Sequence, residues 1–153
     1  MVSSAEPGPE RSFPVSVRYD DLGPAGHVNN VASLRIIEEA RRTFLGRPAT
    51  PGAARGILDH VPTHVRHLVR RQEIEYCGEL WFQAAPFVVT MQVTAVGRTS
   101  FRLRSGIRTS ATAEPAVIAE TVMVLADRTA GETWPIPRCV ADLLLAAQPP
   151  ADA

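Results

Sequence analysis

VRYDDLGPAGHVNNVASLRIIEEARR, residues 17–42, decides the fold, because it joins a strand pattern to a helix pattern through a turn of glycines and asparagines. Residues 13–19 alternate apolar and polar side chains, which predicts a half-buried strand with Phe, Val, Val and Tyr inward. The helix pattern follows, with Asn29 or Asn30 as the N-cap and Gly46 as the end. The first N–H groups of this helix are therefore predicted to open beside the turn, where they stabilise developing negative charge.

One side of the predicted helix is apolar, which is typical of a helix packed on a sheet. Its apolar residues are Leu34, Ile36, Ile37, Ala40, Phe44 and Leu45. Ser33 and Arg41 fall inside this arc and Glu38 lies at its edge, so each is expected to find a partner or to border a cavity. An ordinary ion pair from Glu38 to Arg41 or Arg42 is an equal alternative.

Four further strands are predicted after the helix, because each segment alternates β-branched or aromatic residues and ends at a turn. They are residues 65–76, 86–96, 100–109 and 116–127. Residues 47–62 predict a loop with about one helical turn, and residues 137–147 a short helix. The order β-α-β-β-β-β favours an α+β domain in which an antiparallel sheet wraps one long helix. This domain is expected to span residues 12–147, between disordered tails at 1–11 and 148–153.

Composition limits the function classes. The chain has 153 residues, 45% of them hydrophobic, and no net charge, which suits one soluble domain with a core. All 16 basic residues are arginine, so lysine chemistry is excluded and nucleic-acid binding is not expected. Neither a signal peptide nor an apolar run near 18 residues is seen, which predicts a cytoplasmic protein without membrane contact.

Cysteine and histidine positions predict no cofactor. Cys77 and Cys139 lack C-x-x-C spacing and are expected to be free and mostly buried. His60, His64 and His67 are not expected to form a metal site, because His64 and His67 point to opposite faces if residues 65–76 form a strand, and no further ligand completes a set.

A family resemblance is carried by G-H-V-N-N at 26–30 and E-x-A-R at 38–41. Both motifs resemble those of hot-dog acyl-CoA thioesterases of the 4-hydroxybenzoyl-CoA thioesterase type. Further segments similar to later strands of that family are RQEIEY at 71–76, GRTSFRLR at 97–104, AETVMVLAD at 119–127 and WPIP at 134–137. The resemblance implies a hot-dog fold and a hydrolase acting on acyl-CoA or acyl-carrier-protein thioesters.

The resemblance also implies a homodimer or homotetramer whose active sites are shared between subunits. Apolar surface for such a partner is expected from Leu68, Trp81, Phe87 and Phe101.

One catalytic position departs from the family pattern. The family turn reads D-x-D-x-x-G, and its second aspartate attacks the thioester or activates water; here Gly23 stands at that position and only Asp21 is retained. Residue matching makes the backbone N–H of Asn30 the oxyanion donor. A different residue must then activate the attacking oxygen.

Four side chains are candidates for that task. Glu38 is placed first, because a sister branch of the family carries its acidic group at about the same offset from the oxyanion donor. Asp21 is next, His27 is a candidate base near neutral pH, and Asn29 could orient water through its amide.

Substrate contacts are predicted at three further positions. Ser33 replaces the tyrosine usual in the family and opens space beside the pocket, while Arg98 and Arg71 are candidate donors to the phosphates of coenzyme A.

Two other functions are compatible with the same residues. A hot-dog domain that binds acyl thioesters without cleaving them fits the glycine at position 23. A dehydratase or hydratase would require His27 and Glu38 to work as a proton-transferring pair.

Overall fold

Five strands and two helices make up the computed structural model, which describes residues 8–46 and 56–146. They are β1 (Arg11–Val15), α1 (Asn30–Leu45), β2 (Val65–Tyr76), β3 (Phe87–Val96), β4 (Ser100–Arg108), β5 (Val117–Asp127) and α2 (Arg138–Leu145). Short 3-10 turns lie at Tyr19–Asp21 and Ile57–His60. The predicted tail at 148–153, most of the tail at 1–11 and most of the predicted loop after α1 lie outside the described residues.

A single antiparallel sheet has the strand order β1-β3-β4-β5-β2, so β1 and β2 are its edges. Helix α1 packs against β1, β3 and β4, and α2 packs against β3. The predicted α+β hot-dog architecture is confirmed. No helix among the described residues is long and apolar enough to cross a membrane.

Helix α1 begins and ends where its sequence predicts. The Oδ1 of Asn29 accepts a hydrogen bond from the backbone N–H of Ala32 at 2.8 Å, which makes Asn29 the N-cap. Gly46 ends the helix at a φ of 86°, a backbone conformation that favours glycine, and its N–H donates to the carbonyl of Arg42.

The core lies between α1 and the inward face of the sheet. Its fully buried side chains include Ile36, Ile37 and Leu45 from the helix and Met91, Leu103 and Met123 from three strands. Leu34, predicted within the apolar arc, is instead 39% exposed.

Buried polar side chains interrupt this apolar face, as its pattern predicts. Ser33 and Arg41 are both buried, and the Nη1 of Arg41 has no hydrogen-bond partner among residues 8–46 and 56–146. Burial lowers the pKa of Arg41, because it disfavours the charged guanidinium; the charge of Glu38 opposes this effect and the charge of Arg42 adds to it.

Several predictions at the level of single residues are wrong. Phe87 and Phe101, expected to offer apolar surface to a partner, point inward and are buried, whereas Leu68 and Trp81 are half exposed. Cys77 and Cys139 are free but exposed. Cys77 directly follows the end of β2, and Cys139 lies on the outer side of α2.

The first strand ends earlier than its alternation predicts. After Val15 the chain leaves the sheet, and Tyr19 is 86% exposed because the backbone turns at Tyr19–Asp21. At the other end, Gly8 is hydrogen-bonded to Val93 and Gln92 of β3, so the described part of the predicted tail is attached to the sheet.

Candidate active site

A hydrogen-bonded turn leads from the 3-10 turn to α1. The N–H of Gly23 donates to the carbonyl of His27 at 2.8 Å, and the N–H of Gly26 donates to the carbonyl of Gly23 at 2.9 Å. The N–H of Asn29 donates to the carbonyl of Asp21 at 2.8 Å. Gly26 has a φ of 87°, so this position requires a residue that adopts the left-handed region easily. These bonds hold the residues before the helix in one defined conformation.

The helix start presents two unused donors. Within residues 8–46 and 56–146, the backbone N–H groups of Asn30 and Val31 have no hydrogen-bond acceptor. The carbonyl of Asn30 accepts a hydrogen bond from the hydroxyl of Tyr76 at 3.1 Å. That carbonyl and the N–H of Val31 belong to one peptide unit, so the bond to Tyr76 orients and polarises the second donor. Such a helix terminus is suited to an oxyanion.

Two cavities meet at this helix start. The larger, of about 660 Å³, is lined by Gly23, Pro24, Asn29, Val31, Ala32 and Arg35, with Asp20 and Asp21 at its side. The smaller, of about 320 Å³, is lined by Val28, Ser33, Tyr76, Cys77, Gly78, Glu79, Leu80 and Val117. His27 and Asn30 line both cavities. A molecule bound at the Asn30 N–H can therefore extend in two directions.

His27 is fixed by a hydrogen bond and by a ring contact. Its Nδ1 lies 3.2 Å from the carbonyl of Val28, and since a carbonyl only accepts, Nδ1 carries the proton. In the neutral ring Nε2 is then the acceptor. The imidazole packs edge-on against Trp81, with 5.7 Å between ring centroids. This geometry suits a supporting hydrogen-bonding group at the site.

Asp21 is buried and fully occupied by donors. It is 4% exposed, and its carboxylate accepts hydrogen bonds from the backbone N–H of Arg18 at 2.7 Å and from two nitrogens of Arg35. Burial by itself would raise the pKa of Asp21, but the hydrogen bonds from Arg35 and Arg18 and the charge of Arg35 outweigh it and lower the pKa. The arrangement makes Asp21 an anchor for the turn and leaves no oxygen of it free to activate water.

Three other predicted residues lie at the helix start. Gly23 lines the larger cavity, and Ser33 is buried and lines the smaller one. Asn29 uses its carboxamide oxygen to cap α1, so only its amide nitrogen is left to meet a ligand.

Glu38 lies apart from both cavities. It borders a separate groove with Arg18, Arg35, Glu39 and Arg42, is exposed, and has Arg42 within 3.5 Å. Eight residues of helix separate Glu38 from Asn30, about 12 Å along the axis. A catalytic role for Glu38 stays a prediction, and the geometry of this single chain does not support it.

The two predicted phosphate donors also lie elsewhere in the chain. Arg71 is ion-paired with Glu73 on the outer face of the sheet, the face turned away from α1. Arg98 lies in the β3–β4 turn, beside Ser100, which pairs with Val124 near the far end of β5. Asn30, by contrast, is next to Tyr76, at the end of the sheet where β5 begins.

Sequence reasoning missed the contribution of Tyr76, Cys77 and Glu79 to the smaller cavity. These residues follow G-H-V-N-N by more than forty positions, and only the fold brings the two segments together. The signal that could have located them is their position at the end of β2 or directly after it. Its partner strand β5 begins beside the helix start. No three His, Cys, Asp or Glu side chains within the described ranges lie close enough together to hold a metal ion.

Comparison with known proteins agrees with this geometry. The model of the thioesterase-like superfamily matches residues 17–144. The chain belongs to this superfamily. A search among curated protein sequences finds no match.

Solved structures give the same result for this superfamily member. A thioesterase from Thermus thermophilus, complexed with coenzyme A and Zn, is 27% identical with a TM-score of 0.67, over 87% of this chain and 95% of the other. The PA5185 protein from Pseudomonas aeruginosa strain PAO1 is 23% identical with a TM-score of 0.69, over 91% and 93%. The probable thioesterase YbaW from Escherichia coli is 18% identical with a TM-score of 0.69, over 89% and 98%. The similarities to the Pseudomonas aeruginosa and Escherichia coli proteins show a shared fold and nothing more.

Proposed function

We propose that this chain hydrolyses acyl-CoA thioesters and that the N-terminus of α1 polarises the thioester carbonyl. The observation that carries the proposal is the pair of unused N–H groups of Asn30 and Val31, at the point where the two cavities meet. As an oxygen attacks, the carbonyl oxygen gains negative charge, and fixed backbone donors stabilise that charge without having to reorganise.

The two cavities suit the two arms of a thioester. From a carbonyl held at Asn30, the acyl group and the pantetheine arm extend in different directions, and each finds a separate space. Coenzyme A and acyl carrier protein present the same phosphopantetheine arm. The coenzyme A bound to the Thermus thermophilus relative supports coenzyme A as the carrier, and the acyl carrier protein is the alternative.

We expect thiol release from at least one member of a panel of acyl-CoA substrates that varies chain length and includes aryl and β-keto acyl groups. The electrophilic aryl and β-keto thioesters should react fastest, because Gly23 supplies no carboxylate beside the carbonyl. Release of the thiol is measured with a chromogenic disulfide reagent.

Acyl-CoA that binds in calorimetry but stays intact at high enzyme concentration would instead support a binding domain without hydrolysis. Gly23 is the observation that favours this second function. A dehydratase has no such support, because His27 and Glu38 border different cavities.

We also propose that the chain works as a homodimer or a dimer of dimers, with β2 as the interface. Strand β2 is an edge of the sheet and exposes Leu68, Val69 and Tyr76. Antiparallel pairing of two copies of β2 would set the start of one strand beside the end of the other. The partner's Arg98 would then lie at the same end of the assembly as Asn30, which gives Arg98 a route to the carrier phosphates.

Light scattering at micromolar concentration should report the mass of a dimer or a tetramer. The apolar side chains along β2 disfavour an isolated chain. A monomeric mass under these conditions would contradict the shared site.

A further inference from the structure

The segment that follows β2 is fastened to the turn before α1. The N–H of Val28 donates to the carbonyl of Leu80 at 2.7 Å, and His27 forms an antiparallel bridge with Trp81. On the preceding side, the N–H groups of Cys77 and Gly78 both donate to the carbonyl of Ala116, at 2.8 and 3.0 Å. Glu79 is therefore held between two fixed points, one of which is the turn that leads into α1.

Glu79 lines the smaller cavity together with His27, Asn30 and Ser33. Among the described residues, it is the acidic side chain that borders this cavity. Glu79 is an exposed residue that shares this cavity with Asn30, whose N–H lies at the positive end of the helix dipole and is unused. A negatively charged base beside an oxyanion donor is the pair of groups that thioester hydrolysis requires.

The other carboxylates near the helix are less suited to the task. Both oxygens of Asp21 already accept hydrogen bonds, and Glu38 borders a different groove beside Arg42. Asp20 lines the larger cavity and, like Glu79, is exposed. Asp20 is therefore the rival that an experiment must separate from Glu79.

We propose that Glu79 is the general base that takes over the function of the carboxylate missing at Gly23; this inference rests on the proposed thioesterase function. The carboxylate of Glu79 accepts a proton from water, and the water oxygen forms a bond to the thioester carbon. The negative charge on the carbonyl oxygen is held by the N–H of Asn30. When the intermediate collapses, the C–S bond breaks, and the thiolate takes the proton from Glu79, giving free thiol and carboxylic acid.

Glu79→Gln should lower kcat by about a hundredfold or more, the range typical of a lost acid–base group, while KM changes little. The matched control is Glu114→Gln, which removes the same charge from an exposed glutamate of the β4–β5 loop and should keep kcat within about twofold. Added formate should restore part of the activity of Glu79→Ala, because a small carboxylate can occupy the emptied space. A purely structural role would not give this rescue.

Asp20→Asn and Glu38→Gln are measured beside these variants on the same substrate. An unchanged kcat in a folded Glu79→Gln overturns the assignment of Glu79 but leaves the proposed thioesterase function intact. A hundredfold loss seen only in Asp20→Asn or only in Glu38→Gln identifies that residue as the base. Where Glu79→Gln alters the circular dichroism spectrum, Glu79→Asp decides, since it keeps a carboxylate and should keep measurable turnover. A wild-type protein inactive on the whole panel would contradict the proposed function itself.

Discussion

Gly23→Asp should raise kcat on plain acyl-CoA substrates, and the gain should reach about a hundredfold where Glu79 has been replaced by glutamine. The new carboxylate would stand at the position that the family pattern gives to its catalytic aspartate, at the side of the larger cavity. The turn accepts a side chain there. A Cβ on Gly23 would meet its nearest atoms at 3.7 and 4.0 Å, and Gly23 does not occupy the positive-φ region, in contrast to Gly26.

Steady-state kinetics on the wild type, Gly23→Asp, Glu79→Gln and the double variant measure this gain, with thermal unfolding as the check on folding. The double variant is informative because the wild type already contains the base that we propose. If a folded Gly23→Asp raises kcat neither in the wild type nor in Glu79→Gln, the geometry of the cavity, and not only its missing acid, differs from that of the family.

Asp21→Asn should lower the free energy of unfolding by about 3 kcal/mol, in the range for breaking a buried ion pair. The substitution leaves Arg35 beside a neutral group and exchanges an acceptor oxygen for a donor nitrogen that faces other donors. Urea denaturation measures the loss. Glu39→Gln is the matched control: Glu39 also contacts Arg35, but it is half exposed, so its replacement should cost well under about 1 kcal/mol.

The destabilisation by Asp21→Asn should depend on pH. Because the pKa of Asp21 is lower in the folded protein than its ordinary value of 3.8, the charged carboxylate stabilises the fold at every pH above that value. The contribution decreases as pH falls below 3.8 and disappears once pH has passed the lower, folded pKa. The difference between wild type and Asp21→Asn should therefore be constant near neutrality and shrink in acid. A difference that stays constant throughout would show that charge is not its source.

Local signals in the sequence were sufficient for most of the fold. The cap at Asn29 and the end at Gly46 depend on residues within one helical turn of each, and the boundaries of the four later strands were predicted to within one residue. Alternation alone could not decide which face of a strand would be covered. The alternation therefore predicts Phe87 and Phe101 at the surface, whereas α1 and the sheet enclose them.

The site was predictable only where it is local. His27, Asn29 and Asn30 lie within four residues, and their motif identifies them. Glu79 reaches the same cavity through the pairing of β2 with β5 and through the bond between Val28 and Leu80, contacts between residues far apart in the chain. The pattern of a sequence does not specify such contacts without the register of the sheet, which here shifts between Val69 and Arg71.

The hydrogen bond from Tyr76 to Asn30 has a consequence for control. Tyr76 is the last residue of the edge strand, and it holds the peptide unit that carries one of the two helix-start donors. A molecule that pairs with this edge would contact the strand that ends at Tyr76, and Tyr76 is one hydrogen bond away from the helix start. A single bond thus connects the sheet edge to the anion-binding end of the helix.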